Sequence, residues 1–184
     1  MSLKQAQLET GVRHPFPPVV DDHSLVLVLG SFPSVKSREN AFYYGHPQNR
    51  FWRVLAQLFS EETPMTVVTK TAFLRKHRIA LWDVVAACDI TGSADSALIP
   101  HAYQDIATLL TKTQIKYVFA NGQTAGKLYK AHIEPITGIP AHILPSTSAA
   151  NAAWTLEKLV FAWQTLAAAL QKHEKDKRME CNPL

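Results

Sequence analysis

Leu25–Gly30 is an unbroken apolar run closed by a glycine, and a segment apolar on both faces reads as a central strand covered by helices on each side. Further strands are predicted at the largely apolar segments Ile79–Asp83, Ile115–Ala120 and Ala141–Leu144. Between them the apolar spacing becomes helical. Phe51, Trp52, Leu55, Leu58 and Phe59 share one face of a helix over 49–59, a short basic helix is predicted over Lys70–His77, and residues 104–112 and 122–130 also read as helical. A last helix carries Leu156, Leu159, Val160, Trp163, Leu166, Ala167 and Leu170 on one stripe, with Asn151 as its expected N-cap. Strands alternating with helices at this spacing predict an α/β fold, a three-layer α/β/α sandwich with a central four-stranded parallel sheet.

The rest of the chain is divided by its breakers and charges. Residues 1–22 are expected to form an extended N-terminal arm, since the prolines of His14–Pro18 lack donors and restrict their predecessors. Residues 23–171 are expected to be a single domain, and 172–184 a charged, flexible tail. A length of 184 residues suits one well-filled core, and 47% hydrophobic content excludes disorder or a coiled coil as the main architecture.

Composition narrows the chemistry further. Two cysteines, Cys88 and Cys181, cannot build a disulfide framework or supply the four thiolates of an iron–sulfur cluster. The eight histidines are scattered without ligand spacing, so neither a metal nor any other cofactor is expected. The longest aliphatic run, Leu25–Leu29, is too short to span a bilayer and no targeting segment is evident, so a soluble, cytoplasmic chain is the expectation. Nineteen Lys and Arg against fifteen Asp and Glu leave +4, which permits a polyanionic partner without demanding one.

In open parallel sheets ligands bind beyond the carboxyl ends of the strands. That directs attention to residues 30–49, 83–96, 121–126 and 145–151. Two of these segments imitate a nucleotide-binding loop and fail physically. Gly30–Ser37 has Pro33, which has no N–H to offer a phosphate, and the β-branched Val35 where a second glycine is needed. Gly122–Lys127 is one residue short and is followed by Leu128, not by a hydroxyl.

Residues 42–52 resist a purely structural explanation. Phe51 and Trp52 suit a core, and Asn49 suits a helix cap, but Tyr43 and Tyr44 cluster at a strand mouth among Lys36, Arg38, Arg50 and Arg53, with Glu39 as the one acid of 36–53. Aromatics interleaved with cations suit a flat ring stacked on a side chain while neighbours neutralise phosphates.

Gly30–Ser34, Tyr43–Trp52 and Leu144–Asn151, in that order and spacing, resemble the uracil-DNA glycosylase superfamily, and most closely its DNA-deoxyinosine (hypoxanthine-DNA) glycosylase branch. The resemblance covers roughly residues 15–170 and implies an enzyme that excises deaminated bases, chiefly hypoxanthine, from DNA. No lysine occupies an obvious nucleophile position, so a monofunctional enzyme is expected, as is a monomeric one. The resemblance also implies that residues 23–171 are the catalytic domain. Phe32 stands where other branches place a water-positioning Asp or Asn, and Leu144 stands where uracil-specific enzymes place a histidine. The resemblance therefore points to Asn49 as the catalytic residue, its carbonyl aiming a water at the sugar C1′.

Base contacts are expected from Gly30, from the backbone amides of Ser31 and Phe32, from Tyr44 as a stacking surface with Tyr43 as second choice, and from Asp83. The Asp83 carboxylate would accept the N1–H of hypoxanthine or the N3–H of uracil; a turn or helix cap is its alternative role. DNA contacts are expected from Pro33, Ser34, His46 and Arg50, and from a strand-pinching loop of Pro145, Ser146, Thr147 and Ser148. Rival readings are a uracil- or mismatch-specific glycosylase and a non-catalytic nucleic-acid-binding module of the same fold.

Overall fold

The computed structural model describes residues 8–91 and 98–180, with side chains described through His173. Its centre is a four-stranded parallel sheet of β2 (Val26–Gly30), β3 (Ile79–Asp83), β6 (Tyr117–Asn121) and β7 (Ala141–Leu144), in the order β3-β2-β6-β7. Helices cover both faces, giving the three-layer α/β/α sandwich that the apolar runs predict.

The side-chain alternation of β2 shows why its sequence is apolar at every position. Val26 and Val28 face one layer, built by α2 (Phe51–Leu58), α3 (Val67–Lys76) and α7 (Leu156–Glu180), where Phe51, Leu55, Leu74 and Trp163 are buried. Leu27 and Leu29 face the other layer, built by α4 (Ile106–Thr111) and α5 (Gln123–His132), where Ile106 and Tyr129 are buried; short α6 (Glu134–Thr137) follows α5. Each of these four strand residues is fully buried, and each such aliphatic side chain contributes about 1.5–3 kcal/mol relative to exposure.

A second sheet lies where the pattern predicts no strands. β1 (Leu8–Arg13), β4 (Val85–Thr91) and β5 (Leu98–Tyr103) pair antiparallel in the order β1-β4-β5. The chain leaves β3 and enters β4 after a single residue, with Val84 and Val85 donating to the carbonyls of Gly30 and Ser31. Phe32, Val85, Cys88 and Ile90 form its own small core. The expected N-terminal arm is therefore, over 8–13, a sheet strand; residues 14–22 continue across the domain, with Val19 bridging Leu81. Residues 1–7, and 92–96 of the segment singled out at 83–96, lie outside the described residues.

The last helix also departs from expectation. It begins at Leu156, and the Thr155 hydroxyl accepts from Lys158 N, while Asn151 instead donates its side-chain amide to the Ser146 carbonyl. Its backbone stays helical through Glu180, so the flexible tail expected from residue 172 is helix over 172–180; residues 181–184, with Cys181, are outside the described residues. Short α1 (Val35–Glu39) was not predicted and is capped by Ser34.

Candidate active site

A cavity of about 490 Å³ opens at the carboxyl ends of the parallel strands. Gly30, Asp83 and Asn121 close its floor as the last residues of β2, β3 and β6, and its walls come from 31–37, from Tyr43, Tyr44 and Asn49, and from 146–151.

The floor explains Gly30. Gly30 and Asp83 are register partners on adjacent strands, and a Cβ on Gly30 would stand 2.2 Å from Asp83 Oδ1. Only hydrogen fits there, so the carboxylate can lie over the strand end. Asp83 is 4% exposed, and its Oδ2 pairs with His14 Nε2 at 2.8 Å. Gly122 also shapes the floor, since at φ +104° it turns the chain out of β6 with Ser146 packed against it.

Both tyrosines line the cavity, and Tyr44 is the more exposed of the two. Its ring stacks on Phe51 with centroids 3.8 Å apart and planes 21° from parallel. Its backbone sits at φ +53°, a region that costs a non-glycine residue about 1–2 kcal/mol. The turn that holds it there is tied by Gly45 N–H to Ser37 Oγ and by the Asn40 side-chain amide to the Gly45 carbonyl. Tyr43 is 2% exposed and donates to the Pro17 carbonyl; burial, Asp83 and Tyr44 push its phenol pKa well above the ordinary value, keeping it a neutral donor.

Asn49 sits at the end of a buried polar chain. Its Oδ1 accepts from Phe51 N–H at 2.9 Å and from the Thr147 hydroxyl at 2.9 Å. Thr147 is fully buried; its N–H donates to Asn121 Oδ1, and its Oγ1 accepts from Asn121 Nδ2. Because that hydroxyl already accepts from Asn121, its one hydrogen goes to Asn49. A carbonyl oxygen has two lone pairs, and both on Asn49 are engaged. The carbonyl expected to aim an attacking water is thus occupied, and the amide nitrogen, without a partner among the described residues, is the polar end left for a ligand. Asn49 does line the cavity, so the correction falls on the atom and not on the residue.

Arg50 is likewise redirected. Expected at a phosphate, its guanidinium instead donates to the backbone carbonyls of Thr147, Ser148, Asn151 and Trp154, while its own N–H bonds the Thr147 carbonyl. It clamps the loop after β7 to the start of α2.

The remaining candidates divide clearly. Ser31, Phe32, Pro33, Ser34, Ser146 and Ser148 line the cavity. The Phe32 ring packs into the second sheet's core while the residue also lines the cavity. His46 is outside the lining; its Nδ1 accepts from Gln48 N–H and its carbonyl from Asn49 N–H, making it a turn residue. Thr147 is internal and cannot touch a phosphate, and Pro145 offers its carbonyl to Trp163 Nε1. Sequence reasoning did not single out Asn121 of the floor, Ser37, Thr124 or the partner His14. A polar residue closing the apolar run of β6 is the signal that marks Asn121.

Local charge differs from the count along 36–53. Lys36 pairs with Glu39 at 2.7 Å, Arg38 pairs with Glu9 of β1 at 2.9 Å, and Arg50 faces carbonyls. Exposed Arg53 has no ion-pair partner among the described residues. No group of three or more His, Cys, Asp or Glu suited to a metal occurs among the described residues, and no helix among them is long and apolar enough to cross a membrane.

Residues 17–168 match the family model described as Uracil DNA glycosylase superfamily. A protein of Methanosarcina acetivorans named "Hypoxanthine DNA glycosylase" is 34% identical over 145 residues, covering 76% of this chain and 89% of its own. A protein of the same name from Methanosarcina barkeri is 33% identical over 141 residues, covering 74% and 86%. A solution NMR structure of a Methanosarcina acetivorans chain, provisionally named a Uracil DNA glycosylase, superposes with a TM-score of 0.70 at 30% identity, covering 88% of this chain and 99% of that one.

Proposed function

The chain belongs to the Uracil DNA glycosylase superfamily, and on that premise we propose that it hydrolyses the bond between deoxyribose C1′ and a deaminated base, chiefly hypoxanthine, as a monofunctional DNA glycosylase. The observation that carries this reading is the pairing, in one cavity, of an aromatic face on Tyr44 with a carboxylate acceptor on Asp83. The names of the relatives at 33–34% identity support the choice of hypoxanthine.

A base inside a duplex is unreachable, so it is flipped into the cavity at a cost of a few kcal/mol. The weak pairing of hypoxanthine with thymine lowers that cost. Once in, the base stacks on Tyr44, whose other face Phe51 supports, an interaction worth about 1–3 kcal/mol. Asp83 accepts the N1–H of hypoxanthine and disfavours adenine, whose N1 is itself an acceptor. Negative charge that grows on the leaving base is met by the backbone amides of Ser31 and Phe32.

The transition state we envisage is oxocarbenium-like, so the water needs placement more than deprotonation. Asn49 supplies placement through its amide N–H, donated to the water oxygen, while Thr147 and Phe51 hold its carbonyl. Ser34, Ser146 and Ser148 line the cavity, and their hydroxyls are offered to the flanking phosphates, while the Ser148 amide is held by Ser146 Oγ. No lysine lines the cavity among the described residues, which supports hydrolysis without strand-cleaving Schiff-base chemistry.

The test is a panel of oligonucleotides carrying hypoxanthine, uracil or xanthine, cleaved by alkali after incubation. Abasic-site formation at hypoxanthine that Asn49→Ala abolishes, with DNA binding intact, is the expected result. Preferential release of uracil would favour the second reading, a uracil-specific enzyme, which Asp83 accommodates through N3–H. No release from any lesion overturns both.

A further inference from the structure

Among the described residues of the N-terminal segment, His14 places its side chain against Asp83 of the cavity floor. Its backbone N–H is fixed to the Ala86 carbonyl, and the prolines that follow hold the chain extended. Its ring lies edge-on to Phe16 and Phe32 and beside Tyr43, at centroid distances of 4.7, 6.0 and 6.1 Å. The side chains of His14 and Asp83 are 2% and 5% exposed, and their Nε2–Oδ2 separation is 2.8 Å. A carboxylate buried against aromatic rings needs a donor to hold it. An ionised carboxylate accepts only, so Nε2 carries the hydrogen. His14 Nδ1 is buried without a hydrogen-bond partner, which a bare ring nitrogen tolerates better than an N–H would.

The consequence lies in which carboxylate oxygen is left over. Oδ2 is committed to His14, and Oδ1 lies over Gly30 at the cavity floor. We propose that His14 is a specificity-determining positioning residue: its Nε2–H fixes the Asp83 carboxylate so that Oδ1 stands as a pure acceptor for the ring N–H beside the carbonyl of a 6-oxopurine. Bases that present a bare ring nitrogen there find no donor. The inference rests on the reading of Asp83 as base-edge acceptor and extends it to a residue that follows β1.

The experiment measures single-turnover excision from oligonucleotides carrying hypoxanthine or 1-deazahypoxanthine, in which C–H replaces N1–H. The enzymes are wild type, His14→Phe, His14→Gln and Asp83→Ala. His14→Phe keeps a ring and removes the donor; the hypoxanthine rate is expected to fall about 10- to 100-fold, the usual effect of losing a hydrogen bond to a charged group, with the dissociation constant for DNA unchanged. His14→Gln restores most of the rate, which a merely structural role would not produce. Loss of N1–H and loss of the His14 donor are expected to be non-additive, because they act on one contact. A wild-type rate in His14→Phe beside an inactive Asp83→Ala overturns the proposal for His14 alone. A wild-type rate in Asp83→Ala overturns the underlying reading of Asp83. Imidazole ¹⁵N shifts of the wild-type protein give a check independent of any variant: the Nε2–H tautomer is expected, and an Nδ1–H tautomer overturns the proposal.

Discussion

The Thr147 hydroxyl donates to Asn49 Oδ1 at 2.9 Å across 98 residues of sequence, and in doing so it turns the Asn49 amide nitrogen toward the cavity. In the proposed mechanism that amide places a water, and its direction is set by a fully buried threonine.

Replacing that hydroxyl tests the direction. Thr147→Val leaves Asn49 and Asn121 each one partner short, at about 1–3 kcal/mol of stability. Single-turnover excision is expected to fall about 10- to 100-fold, the size of a lost well-placed hydrogen bond to a reacting group, while Thr147→Ser stays near wild type. A valine variant that excises at the wild-type rate removes the Thr147–Asn49 link from the mechanism.

Gly30→Ala attacks the floor from below. The new methyl would meet Asp83 Oδ1 at 2.2 Å, so the carboxylate must move. A displacement of about 1 Å in a positioned group can cost about 100-fold, and excision should fall on that scale while thermal unfolding changes little in cooperativity. Unchanged kinetics would show that the Asp83 position is immaterial.

Tyr44→Leu removes the stacking face but keeps an apolar cover over Phe51. Affinity for an uncleavable deoxyinosine analogue is expected to weaken by about 1–3 kcal/mol, with Tyr44→Phe near wild type. Equal binding by the leucine variant would mean that the base stacks elsewhere.

Arg50→Gln, which removes the charge, discriminates between loop clamp and phosphate contact. Loss of the bonds to the loop carbonyls should lower stability by at least about 2 kcal/mol. The slope of log K against log salt should not change, whereas loss of a phosphate contact would reduce it by about 1. A reduced slope with full stability would restore Arg50 to the DNA interface.

His77 gives a pH dependence remote from the site. Burial against Phe59 is the largest influence and lowers its pKa below the ordinary 6.5, partly opposed by Glu61. The folded protein therefore binds fewer protons at His77 than the unfolded chain does. That contribution to stability is complete above about pH 6.5 and is lost as pH falls through the lower folded value. Between pH 7.5 and 5 the melting temperature of wild type should drop more than that of His77→Gln; parallel curves would exclude the coupling.

The central sheet was legible because strands buried on both faces leave nothing but apolar residues, as in Val26–Leu29. The small sheet was not. β5 carries Pro100 and exposes Ile99, β4 carries Asp89, and β1 carries Gly11 at φ +61°, so none shows a clean alternation. Asn49 and Tyr44 could be picked out locally, but the use of Arg50 depends on carbonyls about 100 residues away. The cationic cluster was misjudged for the same reason, since the partner of Arg38 is Glu9 in a strand the pattern does not reveal. His14 hid among prolines that explain its backbone and say nothing of its ring.

The Arg50 clamp and the Thr147–Asn49 bond join segments separated by 97 to 104 residues. During synthesis the first half of the site leaves the ribosome well before the loop that orients it. A nascent chain ending before Pro145 can pair β2 with β3, but its Asn49 has no Thr147 and its Arg50 no carbonyls to grip. Long-range contacts of this kind form late in folding. Under the proposed function, competence to release a base thus arrives with the final loop, so an unfinished polypeptide is expected to be inert toward the genome.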